Sequence, residues 1–129
     1  PKDATALVNI SKSYYFIGNV DKAIFYSDKL ISEEINPAQG MSMKAQYLHQ
    51  SGRINEAEKY LLDILTKFPM TDFLWLTLGD IYSKEKLFNK ALNCYQKTRQ
   101  IKKQKGASDN DKDLIFIEQK INDTKKNAL

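Results

Sequence analysis

The chain is poor in the residues that catalysis, metal binding and membrane insertion require. Its 129 residues include one histidine, one cysteine, five glycines and three prolines. The lone Cys94 excludes an intramolecular disulfide and, as an unpaired thiol, favours the cytoplasm only weakly. Inside a helix such a cysteine behaves as a small apolar residue, and no reactivity is assigned to it. With one histidine, His49, no two imidazoles can share a metal, and no Ser or Cys stands at motif spacing to make a nucleophile. Glycines at 18, 40, 52, 79 and 106 are too scattered for a phosphate-cradling loop or a dinucleotide fingerprint. Asp109, Asp111 and Asp113 alternate like calcium-loop ligands, but Leu114 and Lys120 occupy the places of the loop's Gly and Glu. Those acids fit the start of a helix, where negative charge is favoured. No catalytic, cofactor or metal-binding residue is therefore assigned, and no small-molecule substrate is expected.

Long apolar runs are also missing. No stretch reaches the roughly 18 uninterrupted apolar residues that cross a bilayer, so membrane insertion is not expected. The opening Pro1-Lys2-Asp3-Ala4 lacks the apolar core of a signal peptide. The first residue is not Met, which suits a processed protein or, the preferred reading, a piece of a longer chain.

The composition that remains is that of a folding domain, 42% hydrophobic and 28% charged. One domain over 1–129 is the expectation at this length. The net charge of +4 is lopsided: residues 1–71 hold eight Lys/Arg and eight Asp/Glu, whereas 72–129 hold twelve and eight. Its densest part is Lys97, Arg99, Lys102, Lys103 and Lys105, with no acid among them. Such a run can attract an anionic partner. It equally suits the C-terminal turns of a helix, where cations complement the macrodipole, and that reading is preferred.

Small residues recur at a fixed step of 34, in Ala23, Ala57 and Ala91, and other columns keep the same step. These are Leu7, Met41 and Trp75; Ser11, Ala45 and Gly79; Tyr14, Leu48 and Tyr82; Val20, Ile54 and Phe88. Within each period the apolar residues fall at helical spacing on either side of a short break, which predicts two amphipathic helices per period. Gly18-Asn19 and Gly52-Arg53 supply breaks, and Lys84-Glu85-Lys86 serves in the third period without a glycine. Pro37 and Pro69 are read as ending the second helix of the first two pairs. The predicted helices span about 4–17, 20–34, 38–51, 54–67, 72–84 and 88–104. Small residues let the two axes of a pair approach, and stacked pairs bury what one pair cannot. After Gly106 a further helix over about 110–127 places Leu114, Ile117 and Ile121 on one face. It reads as a cap, with Glu118, Lys120, Asp123 and Lys125 towards water.

The offsets of these columns make the chain resemble the tetratricopeptide repeat family. The third unit matches best, through Trp75, Leu78, Gly79, Tyr82, Ala91, Tyr95 and Thr98, with Lys103 in place of the usual Pro. The second gives Met41, Ala45, Leu48, Ala57, Leu61 and Pro69, and departs at Lys44 and Ile64. The first gives Leu7, Ile10, Ser11, Tyr14 and Ala23, and departs at Ser27, where an aromatic is usual. The resemblance implies an all-α fold: a right-handed superhelix of three antiparallel helix pairs, about 4–37, 38–71 and 72–105, closed by the capping helix.

It also implies a protein-interaction scaffold whose first helices line a concave groove for a peptide or partner helix. Carried over to this sequence, the groove positions include Val8, Asn9, Lys12, Tyr15 and Phe16 from the first unit. Met43, Gln46 and His49 come from the second, and Phe73, Leu76, Thr77 and Asp80 from the third. The subgroup that clamps acidic chaperone tails keeps Lys, Asn and Arg at positions held here by Val8, Lys12, Met43, Phe73 and Thr77. That pattern is absent, so a chaperone-tail ligand is not expected and a partly apolar one is. Other readings kept open are self-association, further repeats N-terminal to residue 4, and a structural segment of a longer superhelix. An anionic-surface or RNA adaptor acting through the basic C-terminal part is disfavoured.

Overall fold

The computed structural model describes residues 3–128. The described residues form seven α-helices: α1 (Ala4–Phe16), α2 (Val20–Ser32), α3 (Pro37–Gln50), α4 (Ile54–Lys67), α5 (Asp72–Lys84), α6 (Phe88–Gln104) and α7 (Lys112–Asn127). They pair as antiparallel units. The chain divides within α4, between Asp63 and Ile64, into two compact units. No helix among the described residues is long and apolar enough to cross a membrane.

The helix ends follow from local chemistry. Asp3 caps α1 by accepting from Thr5 N at 2.9 Å, and Asn19 caps α2 by accepting from Lys22 N at 3.1 Å. After α1, Gly18 takes φ +85°; its N–H donates to Tyr15 O and that of Asn19 donates to Tyr14 O. This pair of bonds recovers carbonyls that the helix end would leave unsatisfied. The same arrangement closes α5 with Lys86 in the left-handed position, at φ 60°.

Pro37 does a different job from the one its sequence position suggested. Helix α2 stops at Ser32, Glu34 turns the chain at φ 53°, and Pro37 stands in the first turn of α3. A proline is tolerated there because the first turn has no intrahelical acceptor for its missing N–H.

In the first unit, Val8, Ala23, Leu30, Met43 and Tyr47 form the core, with Leu7, Tyr14, Tyr15 and Ile24 packed against it. The α1/α2 crossing is made by small residues: the Ser11 hydroxyl donates to Ala23 O at 2.6 Å and lies 3.0 Å from the Ser27 hydroxyl. All three residues are fully buried. Ser27 thus satisfies its own polarity where the repeat would carry an aromatic. Its backbone also lets α3 come close, since a Cβ on Gly40 would lie 2.8 Å from Ser27 O.

In the second unit the α5/α6 crossing rests on Gly79, where an added Cβ would fall 2.7 and 2.8 Å from the Tyr95 ring. Helix α7 lays Leu114, Ile117, Ile121 and Thr124 into this unit's core. Its start is fixed by Asp111, which accepts from Asp113 N and Leu114 N. Glu118 and Lys120, expected on the water face, turn instead to ion pairs with Arg99 (3.2 Å) and Asp80 (3.0 Å). Asp123 and Lys125 do face water.

Candidate functional site

The twelve positions expected to line a binding surface separate by burial, and the two units are best taken in turn. On α1 and α3, Val8 and Met43 belong to the core. They support the surface from behind and are not available to a ligand. Asn9, Lys12 and Phe16 are exposed, Phe16 to 84%, while Tyr15, Gln46 and His49 are half-buried. Tyr15 stacks on Tyr47 with ring centroids 4.7 Å apart, and Phe16 meets Tyr15 edge-on at 6.4 Å. Tyr47, which the repeat columns did not single out, carries this aromatic group. Burial above all raises the pKa of its hydroxyl. The result is an aromatic step whose outermost ring, Phe16, has little covering it.

On α5, Thr77 is buried and its hydroxyl donates to Phe73 O at 2.9 Å, so it too backs the surface. Phe73 remains 42% exposed. Asp80 accepts from the Tyr95 hydroxyl at 2.6 Å and pairs with Lys120, which makes it a tie to α6 and α7. Burial, followed by the bond to Asp80 and its charge, raises the Tyr95 pKa and keeps the phenol a donor.

A recess of about 210 Å³ opens between α5, α6 and α7, with Phe73, Leu76, Phe116 and Ile117 among its walls. Phe116 is 52% exposed, and the Lys120 ammonium sits 4.8 Å from its ring centroid. Sequence reasoning passed over Phe116 because it lies off the Leu114, Ile117 and Ile121 stripe. An aromatic on the polar side of an otherwise charged helix was the available signal.

Most of the basic run is engaged locally. Lys102 and Lys105 pair with Asp72 at 3.3 and 3.0 Å, Arg99 with Glu118, and Lys97 lies over the Trp75 ring at 5.7 Å. At Asp72, burial works to raise the carboxyl pKa, but the hydrogen bonds and charges of Lys105 and Lys102 outweigh it and hold the group below its ordinary value. Cys94 is buried, and burial pushes its thiol up to about 12, so it is a protonated packing residue at neutral pH. No cluster of His, Cys, Asp and Glu able to hold a metal occurs among the described residues.

The tetratricopeptide repeat family matches residues 4–34 and 74–98, that is, α1 with α2 and most of α5 with α6. The chain is a tetratricopeptide-like repeat domain. No curated protein matches it at a significant level. The matched segments leave out α3, α4 and α7, so Tyr47 and Phe116 belong to parts of this domain that the family match does not cover.

Proposed function

We propose that this domain is a protein-interaction scaffold that takes a partly apolar peptide or partner helix on the faces of its first helices. The observation that carries this reading is the presence of large apolar side chains, Phe16 in the first unit and Phe73 in the second, left open to water at positions where the repeat family binds ligands. A tetratricopeptide-like fold without a catalytic constellation is consistent with such a role.

A clamp for acidic chaperone tails is not supported. Of its five positions, Val8, Met43 and Thr77 are buried and Phe73 is apolar, which leaves Lys12 alone to meet a carboxylate. An anionic adaptor is not supported either, since Arg99, Lys102 and Lys105 already hold acidic partners. Self-association has one observation in its favour, the exposed Ile17 beside Phe16. Light scattering at high concentration separates it from a monomeric scaffold.

The test is quantitative capture of the partner by the whole domain and by Phe16→Glu combined with Phe73→Glu. Both side chains are exposed, so helicity and Tm should hold while partner affinity falls by about 2 kcal/mol or more, the scale of a lost hot spot. Full affinity in a folded double variant places binding on another surface. Met43→Glu is unsuitable for this purpose, because it would put a charge into the core.

A further inference from the structure

The recess between α5 and α7 has walls and a rim of different character, and together they select among ligands. Its walls are the rings of Phe73 and Phe116 with the side chains of Leu76 and Ile117. The polar group at its floor is satisfied from within, because the fully buried Thr98 donates its hydroxyl to Cys94 O at 2.9 Å. In size, about 210 Å³ exceeds the roughly 150 Å³ of an apolar cavity known to take a benzene ring.

The rim is charged but internally balanced. Lys102 lies between two carboxylates, Asp72 at 3.3 Å and Asp113 at 3.6 Å, and Lys105 completes the set at 3.0 Å from Asp72. Two lysines thus answer two acids. The central pair is held close, with side chains only 22% (Lys102) and 19% (Asp72) exposed. A ligand carrying either sign of charge would have to compete with these pairs while being desolvated against an apolar wall. An uncharged side chain meets no such cost. Phe116 is steadied for the purpose: Lys120 lies over its ring and is itself tied to Asp80 at 3.0 Å, which lowers the ordering cost of binding. The larger hollow beside Lys44, Arg53 and Tyr60 in the first unit is different. Its walls carry the ion pair of Arg53 with Glu56 and the Lys44 ammonium, itself paired with Asp28, and no exposed aromatic.

We propose that this recess receives one uncharged apolar side chain, aromatic or branched aliphatic, from a partner segment that bears no charge within a helical turn of it. The proposal rests on the scaffold reading and names the ligand chemistry at one of its surfaces.

The probes are a short Ala/Gln helix with one central Phe, the same peptide with Glu one turn to either side, and the same with Lys there. They are titrated by NMR into the whole domain, Phe116→Ser and Phe16→Glu. The neutral peptide should bind about tenfold tighter than either charged one, and Phe116→Ser should weaken it by about tenfold, a difference of about 1.4 kcal/mol, with Tm unchanged. Nuclear Overhauser contacts from the peptide ring to Leu76 and Ile117 methyls in the unsubstituted domain give an answer even if Phe116→Ser fails to fold. Equal or tighter binding of a charged peptide, absence of those contacts, or no binding at all overturns the proposal. Loss on Phe16→Glu with none on Phe116→Ser overturns the recess while leaving the scaffold standing. A domain that binds none of the peptides yet captures its partner through Phe16 does the same.

Discussion

In the first unit, α1 and α2 cross on hydroxyl groups, with Ser11 bonded to Ala23 O and set against Ser27. In the second, α5 and α6 cross on bare backbone, with Gly79 beneath the Tyr95 ring. The second crossing follows the family pattern, small residue against aromatic, and the first departs from it at Ser27. Even so, both crossings are fully closed to water. A departure in one column is absorbed when the substitute is small enough for the axes to approach and brings a partner for its own polar atom. The aromatic lost at Ser27 has a counterpart on α3, where the buried Tyr47 stacks on Tyr15.

The comparison breaks most severely at Gly79. Tyr95 is buried and its hydroxyl is tied to Asp80, so the ring has no room to yield to a larger residue. Gly79→Val should cost about 3 kcal/mol in urea unfolding, the upper end of overpacking penalties. At the matching position in the first unit, Ser11→Ala removes a donor to Ala23 O and the neighbour of the Ser27 hydroxyl, and should cost about 1.5 kcal/mol. Ser11→Ala combined with Ser27→Ala should cost less than the two single changes added, because the second serine has already lost its neighbour.

The two loops offer a smaller contrast. Gly18 and Lys86 occupy the same left-handed position after the first helix of their pairs. Gly18→Ala should lose about 1 kcal/mol, and Lys86→Gly should gain about as much, both measured by thermal unfolding. A gain from both changes would mean that the turn geometry is set by something other than the backbone.

The smallest effect concerns pH. Because Asp72 has a lowered folded-state pKa, its contribution is present above its ordinary value of 3.8 and is lost as pH falls through the lower folded value. Asp72→Asn should therefore reduce stability at pH 7 and flatten the acid limb of the pH profile. In the first unit Asp28→Asn serves as the control. Its ion pair with Lys44 has the carboxylate side chain 47% exposed, so the stability change should stay within about 1 kcal/mol.

Much of this architecture was legible in the sequence. The step of 34 and the glycine breaks placed the helix ends within two residues, because periodicity and left-handed turns are local properties. Pro37 was misjudged because a proline fits equally after one helix and at the start of the next. The water-facing assignment of Glu118 and Lys120 failed for a tertiary reason: their partners, Arg99 and Asp80, lie 19 and 40 residues away along the chain. Which first-helix residues point outward depends on a rotation that neighbouring helices set. Hence Val8, Met43 and Thr77 turned inward while Phe16 and Phe73 stayed open.

Binding by burial of apolar side chains rather than by charge, as proposed above, is tested most directly by the salt dependence of partner affinity. Calorimetry on the captured partner between about 50 mM and 500 mM salt spans a change in screening length of more than twofold. The predicted result is a Kd constant to about twofold with a negative heat-capacity change, the mark of apolar burial. A Kd that weakens by about tenfold or more over that range would contradict the account and return the basic run of α6 to consideration as the binding surface.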